Sequence, residues 1–286
     1  MNNKKKTAGK KQSKTEFSKL NLADCKQLFK EDFERLARNS SFAKVWADFA
    51  EIGAICAHQV AYYNPAMIPV GMEDNPFISR AREFLLPIDD DWRALESQYL
   101  TLAAEYKKEG MTVMAHLYGL TSYAVITYQS DFLGSLHEEL DTSGRAQRQN
   151  KGEFFTPTHV AELMAEVTLP DVDKIIERNG FITVSEPCCG AGGMVIAVAN
   201  VLKKKGYNPQ EVLYVDATDI NRTFFNLAYI QLSLLDIPAL IRCGDVILLT
   251  QNECRETPQL KISRHYWEGQ PEFQALKLMR DFKITK

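Results

Sequence analysis

Apolar positions return every three or four residues through most of the first 140 residues. Leu22, Cys25, Leu28, Phe29, Phe33 and Leu36 follow that spacing, and Asn21 just ahead of them is a helix-capping residue type. Phe42, Val45, Trp46, Phe49, Ile52 and Val60 predict a second helix opening near Ser41. A proline- and glycine-rich connector, YYNPAMIPVGMEDNPF, comes next, and the segments Trp92–Lys108 and Met111–Leu136 again read as helices. No strand is predicted before about residue 140. The pattern predicts an all-helical domain over residues 19–140.

The pattern then changes. Residues 141–152 are polar, contain glycine and read as a linker. Thr156 and Pro157 are placed as helix cap and first helical residue ahead of Val160, Leu163, Met164 and Val167. Phe181–Ser185 reads as a strand, followed by a glycine-rich turn and a helix that ends in KKKG, with Gly206 as its stop. Val212–Thr218 is a second strand closed by Asp219. A helix over Asn221–Leu235 follows, then a third short strand, Ala239–Cys243, closed by Gly244 and Asp245. Strands alternating with helices imply parallel pairing and a ligand at the carboxyl ends of the strands. Residues 141–286 are therefore expected to form an α/β, Rossmann-like domain.

Charge adds a tail to this picture. Net charge is -3, but residues 1–19 hold seven lysines against Glu16 alone, so the tail is strongly basic and the rest acidic. Residues 1–18 are expected to be a disordered, lysine-rich tail, solvated or riding on nucleic acid phosphates. The longest apolar run, Val113–Tyr128, is shorter than the ~18 residues of a membrane span. With no signal core after the basic start, a cytoplasmic protein is expected. Six cysteines without a CxxC pair and five histidines without HExxH predict free thiols and no metal site.

The chemistry gathers at three strand ends: EPCCGAGG, DIN and CGD. A plain tight turn would account for the glycines. A dinucleotide loop would need glycine where Val195 stands, and a pyrophosphate disfavours Glu186. S-adenosyl-L-methionine suits an acid better, because it has no phosphate and carries an ammonium and a sulfonium. Asp219 is placed to accept both ribose hydroxyls, and Asp245 to accept from the adenine amino group. A helix cap and a turn aspartate are the plainer roles for these two. Cys188 and Cys189 read as small loop residues.

The motifs GEFFTP, SEPCCGAGGM, TDIN and CGD, in this order and preceded by SDFLGSLHEELD, resemble the adenine-specific DNA methyltransferases of the modification-subunit type in restriction–modification systems. The resemblance is nearest to short methylase-like proteins of mobile elements and covers about Asp131–Asp245. It implies an S-adenosylmethionine-dependent methyltransferase fold behind a helical domain. It also implies a DNA substrate, with a separate sequence-recognition subunit or a second copy of the chain as partner. By this resemblance Phe154, Phe155, Thr156 and Pro157 line the methionine end of the cofactor. Glu186, Pro187, Cys188, Gly190, Gly192 and Gly193 form its loop, Asp219 and Asn221 serve the ribose, and Asp245 the adenine.

One part of the family pattern is missing. A base flipped from DNA is held by an Asn/Asp-Pro-Pro-aromatic turn after the fourth strand, and this sequence has no Pro-Pro. Thr257-Pro258 and Tyr266-Trp267 are nearest in character. Asn208-Pro209 is expected to be a turn at the opposite end of the sheet, and Asn64-Pro65 lies in the helical part. The 41 residues after Asp245 are too few for a full sheet at roughly 30 residues per βαβ unit, so an abbreviated sheet is expected. No catalytic residue is assigned. A methylase-like protein that binds cofactor or DNA without turnover is the alternative.

Overall fold

The computed structural model describes residues 17–38, 40–64, 85–140, 155–169 and 171–276. Most of the basic tail, most of the proline-rich connector (with Pro65), the linker and Phe154 lie outside the described residues.

Helix α1 (Leu22–Ala37) opens on a reciprocal cap: the Asn21 side chain accepts from the Asp24 N–H, and the Asp24 carboxylate accepts from the Asn21 N–H. Helix α2 (Phe42–Gln59) is capped by Ser41. A two-residue parallel pair, β1 (Tyr62–Tyr63) with β2 (Leu86–Pro87), corrects the expectation of no strand before residue 140. Helix α3 (Asp90–Tyr128) breaks from helical geometry at Lys107, close to the predicted gap between two helices. The predicted helix Met111–Leu136 is interrupted. Gln129 turns left-handed (φ 48), and Asp131 opens α4 (Phe132–Leu140) by accepting from the Gly134 N–H at 2.8 Å.

Helices α5 (Thr158–Thr168) and α6 (Val172–Asn179) precede the sheet. Pro157, not Thr156, occupies the N-cap position of α5, and no side chain caps it, which shifts the predicted start by one residue. The periodicity identifies this helix but not its buried side. Ala161 and Ala165 pack inward, whereas Leu163 and Val167 are 61% and 69% exposed. Small residues let α5 approach its neighbour closely, so the large ones are left outside.

The sheet comprises β3 (Ile182–Glu186), β4 (Leu213–Asp219), β5 (Ala239–Asp245) and β6 (Thr250–Glu256), in that order. β3, β4 and β5 are parallel and β6 runs antiparallel on β5. Helix α7 (Gly193–Lys204) links β3 to the short α8 (Pro209–Val212), and α9 (Arg222–Leu234) links β4 to β5. The third strand was foreseen; the return strand β6 was not, because TQNECRE alternates weakly and is mostly exposed.

One face of the sheet, with Ile182, Val215, Ala217 and Ile241, shares a single apolar core with α7, α9 and helices α1–α4. Ile230 of α9 meets Gly53 of α2 so closely that a Cβ there would lie 2.7 Å from the isoleucine. The other face is covered at one end by Leu260 and Trp267 of α10 (Pro258–Trp267) and by Phe273, which pack on Phe181, Tyr214 and Leu240. Among the described residues no helix is long and apolar enough to cross a membrane.

A buried histidine lies where α2 and α9 meet. His58 Nδ1 pairs with the Tyr229 hydroxyl at 2.8 Å, and its ring packs against Tyr62. Burial, with the charges of Lys261 and Arg255 adding to it, pushes His58 down to about 4. The unfolded chain, near the ordinary value of about 6.5, takes up this proton first as pH falls. The contribution is therefore fully present above about pH 6.5 and declines toward pH 4, by roughly 3 kcal/mol in all. Denaturant unfolding across that range should show a shallower loss for His58→Gln than for the parent. Parallel curves would remove His58 as the source.

Candidate functional site

The loop between β3 and α7 is built around two left-handed glycines. Gly190 (φ 53) and Gly192 (φ 94) adopt geometry that side chains resist, and Gly192 lies at the N-cap of α7. The turn is held from the neighbouring strand: the Cys189 N–H donates to the Thr218 carbonyl, and the Gly190 N–H donates to Asp219 Oδ2 at 2.8 Å. Asp219 Oδ1 accepts from the Asn221 N–H at 2.8 Å, while the Asn221 side chain caps α9 through the Thr223 N–H. Asp219 is 8% exposed, and burial raises its carboxyl above the usual range against the pull of these two bonds.

Strand register fixes where the acids point. Glu186 is opposite Ala217 and Asp219 opposite Cys243. Side chains alternate along a strand, so Glu186, Ala217, Asp219 and Cys243 project to the same face, at the carboxyl end of the sheet; β5 has a register irregularity between Cys243 and Gly244, just before Asp245. The charges of Asp219 and Glu186 both raise the Cys188 thiol, after burial, which places that residue within electrostatic reach of the two acids. Cys189 is raised further, again mainly by burial. Neither thiol is activated. Asp245 accepts from the N–H groups of Ile247 and Leu248, both on Oδ1, so it shapes its own turn. Glu186 accepts weakly from the Cys188 N–H at 3.3 Å, and Pro187 is exposed.

The segment ahead of α5 closes over this loop. A Cβ on Gly190 would lie 3.5 Å from the Phe155 ring, so the glycine forms a shallow cradle beneath an aromatic wall. Phe155 meets Phe224 edge-on at 5.2 Å and His137 at 5.5 Å, which anchors it to α9 and α4. Thr156 lies beside Gly193 in a recess that also includes Asp131. Pro157 is exposed. The structure therefore brings Phe155, the glycine loop, Glu186 and Asp219 together, while Asp245 lies at the carboxyl end of the neighbouring β5. Phe154 lies outside the described residues.

Residues 128–268 match the family described as N-6 DNA Methylase. That match covers just under half of the chain. The chain is 27% identical over 145 residues to the methylase subunit of the type I restriction enzyme MjaVIII of Methanocaldococcus jannaschii, covering 50% of the chain and 23% of that relative. A solved type I restriction–modification methyltransferase subunit from Streptococcus thermophilus is 15% identical with a TM-score of 0.42, covering 80% of this chain and 59% of that one. A putative class I S-adenosylmethionine-dependent methyltransferase from Listeria monocytogenes is 11% identical with a TM-score of 0.35, covering 78% and 54%. The chain thus spans about a quarter of the length of its curated relative.

The residues nearest in character to the missing base-holding turn lie away from the glycine loop. Thr257 caps α10 and Pro258 is its first residue, at the amino end of β5, where Ala239 exchanges bonds with Thr257. Trp267 is buried and donates to the Glu211 carbonyl. Asn208 caps α8 with Pro209 following, the expected turn at the far end of the sheet. Sequence reasoning missed Asp131 and Gln231 as residues of the site. Gln231 Nε2 donates both to Asp131 Oδ1 and to the Ala191 carbonyl, tying the start of α4 to the glycine loop. The motif SDFLGSLHEELD, which contains Asp131, was the sequence signal that pointed there.

Proposed function

We propose that this chain binds S-adenosyl-L-methionine at the carboxyl ends of β3, β4 and β5 and methylates the exocyclic amine of adenine in DNA. The observation that supports the reading is the register that aligns Glu186 and Asp219 on one face beside a glycine cradle, with Asp245 ending the next strand. When bound, the cofactor supplies a methyl group on a sulfonium. Asp219, already oriented by two backbone N–H groups, has lone pairs left for the ribose hydroxyls. Asp245 Oδ2 can accept from the adenine amine. Ile220 and Val246, each following an acid and each exposed, offer apolar faces to the base. The glycines at 190 and 192 keep the loop backbone free of side chains toward the thioether side, with the Phe155 ring as the wall above Gly190. Holding the methyl group in line with the amine and excluding water would provide most of the acceleration.

A second reading is favoured by the position of Thr257-Pro258 and by β6, which returns antiparallel where a fourth parallel strand would carry the catalytic turn. In it the protein binds cofactor or DNA without turnover, within a restriction or mobile-element system. In either reading the partners are DNA and either a sequence-recognition subunit or a second copy, in the cytoplasm. Incubation with methyl-labelled cofactor and unmethylated DNA separates them. Labelled methyladenine that disappears in Asp219→Ala supports the enzyme. Cofactor binding by calorimetry with no incorporation supports the second reading, and no binding at all defeats both.

A further inference from the structure

The hairpin of β5 and β6 carries an apolar tip that faces solvent. The two strands are joined by the four residues Val246–Leu249, closed by the pairing of Asp245 with Thr250. Ile247, Leu248 and Leu249 are 87%, 71% and 85% exposed. Ile220, whose carbonyl lies 3.9 Å from Cys243 Sγ, adds a 67% exposed aliphatic side chain from the end of β4. Single exposed aliphatic residues are ordinary. Three in succession with a fourth beside them present roughly 600 Å² of apolar surface, the upper limit for a typical monomer.

The tip has a set shape. Gly244 lets the two strands close on each other, since a Cβ there would lie 2.2 Å from the Thr250 carbonyl oxygen. Asp245 Oδ1 accepts from the N–H groups of both Ile247 and Leu248, which fixes the first half of the turn. Leu249 holds φ 55, a left-handed backbone that costs a leucine about 1 kcal/mol. Three aliphatic side chains are thus held outward in one geometry, which lowers the entropy cost of docking them.

We propose that this tip is the contact between two copies of the chain, related by a two-fold axis so that each tip packs on the other. The surroundings select that occupant. Residues 246–252 carry no charge, and the flanking Arg242 and Arg255 are buried and ion-paired, so the tip offers no cation to DNA phosphates or to an anionic lipid surface. A foreign subunit is told from others through charged or polar groups that fix register, and the side chains of 246–249 have none. A purely aliphatic patch is complementary to its own copy, as a two-fold interface requires. The area agrees: two such surfaces together bury about 1,200 Å², the lower end for a specific interface. The contact borders the strand-end acids without using them, so it does not rest on the cofactor reading.

Sedimentation of the full chain is the test. The parent is expected to be a dimer at about 100 µM, in keeping with a contact of this size. Ile247→Asp combined with Leu248→Asp sets four carboxylates across the axis and should raise the dissociation constant at least about 100-fold, leaving a monomer. Leu249→Gly suits the left-handed backbone, should raise the constant about 10-fold, and serves if the double variant does not fold. A parent that stays monomeric at that concentration overturns the proposal, as does a dimer that both variants leave intact. A monomeric parent whose double variant loses affinity for duplex DNA or for lipid vesicles also overturns it and gives the tip to that partner. Calorimetry with S-adenosylhomocysteine on the same samples keeps the two readings separate. Dimerisation through the tip without binding of that compound upholds this interface and defeats the cofactor reading alone.

Discussion

Asp219→Ala is expected to lower S-adenosylmethionine affinity by at least about 100-fold, the loss of two hydrogen bonds from a charged acceptor at roughly 1.5–3 kcal/mol each. The same change removes the acceptor for the Gly190 and Asn221 N–H groups, which set the glycine turn and the start of α9. Stability should therefore fall as well, by about 1–3 kcal/mol for the stranded donors. Calorimetry together with denaturant unfolding measures both. Affinity within threefold of the parent, on a folded variant, would show that the ribose is held elsewhere and would remove the central acid from the site.

Glu51→Ala should be the most destabilising single change at the junction of the helical segment and the sheet. Glu51 on α2 is 8% exposed and accepts from Arg222 Nε at 3.0 Å, Asn226 Nδ2 at 2.7 Å and Gln98 Nε2 at 2.8 Å. Arg255, itself buried, lies 3.8 Å away and also pairs with Glu253. Removing one member of such a cluster leaves the cations and the Asn226 amide buried without their acceptor. The expected cost is about 3 kcal/mol, the lower end for breaking a buried pair, because Arg222 is 48% exposed and can reach water. A change below about 1 kcal/mol in denaturant unfolding would mean that Glu253 alone satisfies both arginines.

The helices and the three parallel strands were legible because each follows a local rule. Asn21 acts as the cap its residue type suggested, and Ser41 and Asn221 cap the helices expected to open at or near them. The strand ends carrying Glu186, Asp219 and Asp245 were placed by alternation of strand and helix. What failed locally failed for tertiary reasons. The helix predicted through Leu136 breaks because Asp131 finds partners in Gly134 and, 100 residues on, in Gln231. Helix α5 turns its alanines inward because its neighbour α7 is close, a preference that a hydrophobic count reverses. Asp245 takes the plainer turn role in addition to any other.

By itself, the sequence determined the order of elements, the glycine loop and the acids at its strand tips, since these depend on residue type and spacing along one segment. Only the tertiary structure decided that Glu186 and Asp219 share one face, that Phe155 closes over Gly190, and that Asp131 joins the glycine loop through Gln231. Those relations are set by strand register and by contacts between residues 30 to 100 positions apart, which no local periodicity encodes.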